Sequence, residues 1–161
     1  LLNLSATTPV ADGPGKQWRF NNWTGDLTSS PDSTNPVSVT MNQARSITAN
    51  YIEQYQLTLA ITAGVPSSLT NIGGGTNGTF YDVGTNLTLT ATTPVADGPS
   101  KQWRFNNWTG DVASSPNPSN PVSVIMNQAR SITANYVEQF LQTFTQTSLA
   151  ADAEIVRHSL P

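Results

Sequence analysis

The stretch KQWRFNNWTGD occupies residues 16–26 and recurs letter for letter at residues 101–111. The two copies contain all 4 tryptophans and every lysine of the chain. An internal duplication of this kind is the signature of a repeat array, in which each repeat is one small structural unit. The duplication therefore indicates a structural or binding role before it indicates catalysis.

The duplication extends well beyond this block. Trp18 recurs as Trp103, 85 positions later, and with this offset residues 1–55 match residues 86–140 at roughly four positions in five. Residues 56–85 have no upstream copy, so they contain the part that the first repeat lacks. We predict three segments: the second part of a repeat at 1–55, a complete repeat at 56–140, and the opening strand of a further repeat at 141–161.

Apolar and polar residues alternate with a period of two along most of the chain. This pattern predicts an all-β fold made of tandem small β-sandwich or β-grasp-like modules, with about six strands each. Trp18 and Phe20 share one face of a strand, and the spacing of three from Phe20 to Trp23 predicts a β-bulge. Residues 36–41 and 45–51 are predicted to pair as a hairpin.

Composition excludes several classes of function. Charged residues make up only 11% of the chain and the net charge is −3, whereas a nucleic-acid partner needs clustered Lys and Arg. No apolar run approaches the roughly 20 residues that span a bilayer, so we expect no membrane-spanning segment. Cysteine is absent and the single histidine, His158, has no partner of metal-ligand or triad type. We therefore expect no enzymatic activity, no cofactor and no metal site.

Residues 56–140 resemble a known family in the order of their motifs. The order runs from QLTL and GGGTNGTFYDVGTNLTLTATTP, through WRFNNWTGD, to NPVSVIMNQARSITANY, and it is similar to that of the divergent InlB B-repeat domain. Residues 1–55 resemble the second part of that domain. The longer segment before Phe105 and the proline-bearing loop 112–119 depart from the family pattern. The resemblance implies a β-rich module that occurs in tandem in bacterial and archaeal surface proteins, and it implies no catalytic residue.

From this resemblance we expect a structural segment of a stalk, adhesin or fibre, located outside the cell or at its surface. The expected partners are other copies of the protein or adjacent repeats of the same chain. The alternative is a carbohydrate-binding module that recognises surface glycans through exposed tryptophans. Five Asn-X-Ser/Thr sequons fit an exported protein, although they arise by chance about as readily in a chain so rich in Asn and Thr. The candidate N-glycosylation sites are Asn3, Asn22, Asn77, Asn86 and Asn107.

The tryptophans divide into two classes. Trp23 and Trp108 lie in the block that defines the family and are predicted to fill the core. The first tryptophan of each copy is flanked by a lysine and an arginine that can lie over its ring in a cation–π contact, and the sequence favours a core position and an exposed one about equally. The candidates for contact with a ligand or with another module are therefore Trp18, Trp103, Lys16 and Lys101.

The final segment suggests how copies of the chain could join. Residues 141–147 have the register of residues 56–62, and the first repeat lacks opening strands, which leaves an open sheet edge. One hypothesis is that the segment of one copy completes the first repeat of the next and builds a head-to-tail filament. The other is that the missing strands belong to the same, longer chain. Gln142 and Gln146, which replace Leu57 and Ile61, weigh against the filament, whose donor residues would be Leu141, Thr143, Phe144 and Thr145.

Overall fold

The computed structural model describes residues 1–145, apart from the side chain of Ser68, and within them it is all-β. We call residues 1–55 module 1 and residues 56–140 module 2. A short 3₁₀ helix at Ser68–Asn71 is the only helix in the described residues. The strands are β1 (Leu2–Leu4), β2 (Val10–Ala11), β3 (Lys16–Gly25), β4 (Val37–Val39), β5 (Ile47–Ile61), β6 (Ile72–Gly73), β7 (Phe80–Asp82), β8 (Asn86–Ala91), β9 (Val95–Ala96), β10 (Lys101–Gly110), β11 (Val122–Ile125) and β12 (Arg130–Phe140).

One sheet runs through both modules in the order β2-β3-β5-β12-β10-β9, with β7 also paired to β5. Each module packs a smaller second sheet against it: β1 and β4 in module 1, and β11, β8 and β6 in module 2. The apolar core of each module includes residues of both sheets. The predicted all-β fold class is therefore confirmed.

Strand β5 is shared by the two modules. Its first part pairs antiparallel with β3 from Ile47 to Tyr55, and its second part pairs parallel with β12 from Leu57 to Ile61. The strand is 15 residues long and has no break where the repeat register changes, between residues 55 and 56. The closing strand of module 1 thus continues directly as the opening strand of module 2.

The duplicated block forms β3 and β10, and each strand contains the predicted bulge. In β3, Phe20 lies opposite Tyr51 and Asn22 lies opposite Asn50, so Asn21 is the extra residue. The bulge returns Trp23 to the apolar side, where its side chain is only 6% exposed. Sequence spacing alone predicted this irregularity because strict alternation would have directed Trp23 to solvent.

The predicted hairpin of residues 36–41 with residues 45–51 is wrong. β4 pairs with β1, and β5 pairs with β3, so the residues between β4 and β5 pass from one sheet to the other. Packing explains the difference, because the apolar rows of β4 and β5 meet across the core when the strands lie in opposite sheets. Val37 and Val39 pack there with Phe20 and Trp23. A hairpin would have placed the two rows side by side.

Candidate functional site

In module 1, Lys16 is the centre of a polar cluster around the first tryptophan. Its Nζ lies 2.9 Å from the Asp12 carboxylate, 2.7 Å from Glu53 and 5.2 Å from the centroid of the Trp18 ring. The indole Nε1 of Trp18 donates to Asp12 Oδ2 at 2.9 Å. Hydrogen bonds to Glu53 and Asp12 raise the pKa of Lys16, and its ammonium group lowers the pKa of both carboxyls.

Module 2 repeats the same cluster. Lys101 pairs with Asp97 and Glu138, and its Nζ lies 4.9 Å from the centroid of the Trp103 ring. Trp103 Nε1 donates to Asp97 Oδ2 at 3.0 Å. The structure thus contains the cation–π contact in both copies. The lysine occupies one face of each indole and the aspartate holds its edge, so the cluster fixes the ring in place.

The two rings differ in what covers them. Trp103 is buried, with 8% of its surface exposed, whereas Trp18 is half-buried. A Cβ atom placed on Gly64 would lie 3.5 Å from Trp103 Cζ2, so the chain at Gly64 runs directly against that ring. Nothing in the described residues takes that place over Trp18. This indole instead lines an open cleft of about 590 Å³ with Val10, Ala49, Asn50 and Tyr51.

The second tryptophan of each block belongs to the core, as predicted. Trp108 is 0% exposed and its ring centroid lies 5.2 Å from that of Phe105. Its Nε1 donates to the Ser119 carbonyl at 3.0 Å, which satisfies the one polar atom of the buried side chain. Trp23 makes the matching contacts with Phe20 and with the Thr34 carbonyl.

A polar network joins the two modules beside β5. Arg19 of β3 donates to both carboxylate oxygens of Asp82 in β7, at 3.3 and 2.7 Å. Gln54 Nε2 donates to Asp82 Oδ1 at 2.7 Å, and Gln17 Nε2 donates to Gln54 Oε1 at 2.8 Å. The Arg19 guanidinium, with the help of Gln54, lowers the pKa of Asp82. We call Gln17, Arg19, Gln54 and Asp82 the junction clasp.

Sequence reasoning missed the junction clasp. Arg19 and Gln54 lie in the repeated part, but Asp82 lies in the stretch without an upstream copy, so no duplication links them. No sequence signal marks the clasp, because only the structure shows that the amide of Gln54 is buried, with 8% exposed, and so needs partners. At the far end of module 2, the corresponding Gln102 and Gln139 pair with each other at 3.0 Å. There they border a hollow of about 420 Å³ that is also lined by Phe140 and Leu141.

The predicted donor residues lie on the surface after β12. Leu141 N donates to the Ser100 carbonyl at 2.8 Å, as Gln56 N donates to Gly15 in module 1. Leu141 is 66% exposed and Phe144 is 86% exposed, and Thr143 and Thr145 are exposed as well. The remaining part of the predicted donor segment, residues 146–147, and the rest of the predicted tail to residue 161 lie outside the described residues.

The sequon asparagines all lie where their side-chain oxygens accept hydrogen bonds. Asn3, Asn77 and Asn86 are exposed, whereas Asn22 and Asn107 are half-buried at the two bulges. The donors are, in chain order of the asparagines, Ser38 Oγ, Asn50 Nδ2, Leu59 N, Ser123 Oγ and Asn135 Nδ2. The described residues hold no group of three or more His, Cys, Asp or Glu side chains suited to a metal ion.

Two modules that share a strand, repeat the same tryptophan cluster and are clasped at their junction define a tandem β-repeat protein. The chain belongs to the divergent InlB B-repeat family, whose model matches residues 5–54 and 57–139. This family occurs in surface proteins and its repeats are typically structural rather than enzymatic. No curated protein and no solved structure shows significant similarity to the chain. Within residues 1–145, no helix is long and apolar enough to cross a membrane.

Proposed function

We propose that this chain is a structural segment of an extracellular surface stalk, adhesin or fibre. The observation that carries the proposal is the continuity of β5, which closes module 1 and opens module 2 without a linker. In an array joined in this way, each module sets the direction of the next, so length and stiffness follow from the number of repeats. The family's occurrence in surface proteins supports the location.

The proposal requires the junction between the two modules to resist bending. A hinge near residue 56 would have to separate β5 from β3, from β7 or from β12, because β5 is paired along this whole region. It would also have to break the Arg19–Asp82 ion pair of the junction clasp. The exposed ion pair contributes little by itself, so the shared strand supplies most of the stiffness.

Distances between spin labels test this stiffness. Labels at Thr28→Cys and Ala113→Cys would report on equivalent exposed loops of the two modules, and no native cysteine competes for the reagent. We expect a narrow distribution of distances by pulsed electron paramagnetic resonance. The matched control inserts Gly-Gly-Ser between Tyr55 and Gln56, which interrupts β5 and should broaden the distribution. An equally broad distribution for the uninterrupted chain would refute the spacer function.

In a more specific form of this proposal, copies of the chain join head to tail by β-strand complementation. Residues 141–147 of one copy would then lie beside β5 in module 1 of the next copy. The exposure of Leu141 and Phe144 supports it, because these apolar side chains have no cover of their own in the described residues. Gln142 weighs against it, because it would take the place of the fully buried Leu57. Deleting residues 141–161 and measuring the mass by light scattering tests this form, and an unchanged assembly would contradict it.

Carbohydrate binding is the second candidate function, and the half-buried ring of Trp18 in its open cleft favours it. Aromatic faces of this kind stack on pyranose rings. The test is a titration with oligosaccharides while tryptophan fluorescence is recorded. Quenching that Trp18→Ala abolishes and Trp103→Phe retains would support the function. The absence of any saturable quenching would exclude it for the sugars tested.

A further inference from the structure

Matched residues of the two modules differ sharply in exposure. Leu2 is 46% exposed and its counterpart Leu87 only 8%, and Met41 is 53% exposed whereas Met126 is 0% exposed. Val10 likewise is 38% exposed, compared with 8% for Val95. The local sequences around these pairs are nearly the same, so local structure does not explain the difference. Other residues of the chain therefore cover these side chains in module 2, and no described residue covers their counterparts in module 1.

Residues 57–75 provide the cover in module 2. Leu57–Ile61 pair in parallel with β12, and Thr62 extends the contact by donating its N–H to the Ala134 carbonyl and accepting from Tyr136 N at 2.9 Å. Gly64 then lies against Trp103. A Cβ on Gly75 would collide with the side chains of Leu57 and Leu89, so this turn closes the cover tightly.

Module 1 presents the same receiving surface without this cover. Residues 45–49 correspond to Arg130–Ala134, and the part of β5 within them, residues 47–49, is hydrogen-bonded to β3 on one side only. The other edge of β5 at this point has no strand beside it in the described residues. An open edge next to uncovered apolar side chains is the surface to which an extended segment adds as a further strand. We call the open cleft lined by Val10, Trp18, Ala49, Asn50 and Tyr51 the module 1 groove.

We infer that the module 1 groove binds the opening segment of another repeat, an extended Leu-x-Leu sequence followed by Thr-x-Gly, of the kind found at residues 57–64. The inference rests on the proposed function and names the partner of its uncovered module. The two leucines enter the apolar row, the threonine bonds to the strand edge, and the glycine passes over the Trp18 ring. Each of these contacts already exists in module 2.

The chemistry of the groove selects this segment over the chain's own residues 141–147. Leu57 is 0% exposed and Gln142 has its register, so self-pairing would bury an amide in an apolar site without a matching partner. Gly64 has a φ of 92°, a conformation open to glycine and unfavourable for leucine, and Leu149 has its register. These two differences weigh against the head-to-tail form of the proposed function, in which residues 141–147 fill the groove, and favour a segment with the sequence of residues 57–64.

A peptide titration followed by nuclear magnetic resonance tests the inference on the full chain. The probe is an acetylated peptide that copies residues 56–72, and the matched control peptide carries Leu57→Gln. We expect saturable shifts of the Trp18 indole N–H and of the amides of residues 45–51. The Trp103 indole and the amides of residues 130–136 serve as the internal control and should not move. The Leu57→Gln peptide should bind about tenfold more weakly or worse.

Variants of the receiving chain locate the site. Val10→Asp places a charge in the groove at a position already 38% exposed, so the fold should tolerate it and peptide binding should be lost. Val137→Asp, at a position 37% exposed outside the groove, is the matched control and should bind as the parent chain does. Equal loss in both variants would overturn the assignment of the site.

Three further outcomes would overturn the inference. They are the absence of saturable binding, equal shifts at Trp18 and Trp103, and equal or tighter binding of a peptide that copies residues 141–157. An oligosaccharide that shifts the Trp18 resonance while the peptide does not would assign the groove to carbohydrate instead. The spin-label distances are independent of these results. A narrow distribution without peptide binding would retain the stiff spacer and reject only the groove.

Discussion

Replacing Met126 by alanine is expected to destabilise the protein far more than replacing Met41, although both residues stand in the same sequence, MNQAR. Met126 is 0% exposed and packs in the core of module 2, whereas Met41 is 53% exposed. Truncating a buried methionine costs about 2–5 kcal/mol, from lost burial and from the cavity that remains. Truncating an exposed one usually changes stability by less than about 0.5 kcal/mol.

The expected signal is large for modules of this size. One kcal/mol shifts the melting temperature of a domain of 60–100 residues by about 4–8 °C, so Met126→Ala should lower it by at least about 8 °C. Met41→Ala should shift it by no more than about 4 °C. Differential scanning calorimetry on the two variants and the parent chain measures both shifts. The four residues after each methionine are identical and the residue before it is Thr40 in one copy and Ile125 in the other, so effects on the unfolded state should be similar and the comparison mainly reports on the folded state.

Equal shifts for the two variants would refute the reasoning. They would mean that Met41 and Met126 have the same surroundings in solution, so that the backbone hydrogen bonds from Gly84 N to Met126 O and from Met126 N to Thr85 O do not hold residues 84–85 beside Met126. The module 1 groove would then lose the methionine pair as evidence and retain the tryptophan pair, because Gly64, and not residues 84–85, lies against Trp103.

Two further predictions concern the junction and the strand ends. Asp82→Asn should cost at most about 1 kcal/mol at pH 7, because Arg19 and Asp82 are both more than a third exposed. The folded-state pKa of Asp82 is lowered, so its carboxylate stabilises the fold above the ordinary aspartate pKa and this contribution is lost as pH falls through the folded-state value. Urea unfolding at pH 7 and pH 3 should therefore show the difference between variant and parent shrink at the lower pH, and a constant difference would contradict the role of the charge. Gly110→Ala should cost more than about 1 kcal/mol, since its φ is 94° and the new Cβ would collide with the Ser131 carbonyl oxygen. Gly98→Ala is the matched control, with a φ of 88° and no atom within 4 Å of the new Cβ, and thermal unfolding that ranks it as equally damaging would remove the collision from the explanation.

Local pattern predicted the parts of the fold that depend on neighbours in the chain. The period of two gave the all-β class, and the broken spacing between Phe20 and Trp23 identified the bulge. The position of Trp108 in the middle of the repeated block identified it as core, where it is 0% exposed. These predictions succeed because strand faces and bulges follow from the alternation of side chains along a single strand.

Strand pairing could not be predicted in the same way. Residues 36–41 and 45–51 have the spacing of a hairpin, yet β4 and β5 lie in different sheets. The apolar rows of both strands gain more by facing each other across the core than by lying side by side, and short-range spacing contains no information about this choice. The junction clasp was missed for a related reason, because Arg19 and Asp82 are 63 residues apart.

The sequence by itself determined that this protein is a tandem array of small β-modules, each built around a duplicated tryptophan block. Only the tertiary structure decided that the modules share β5 and that the identical residues Met41 and Met126 lie in opposite environments. Propensity and pattern are properties of the local chain and are the same in both copies. Burial depends on which distant residues pack against a side chain, and residues 56–85 pack against the apolar side chains of module 2 and not against their counterparts in module 1.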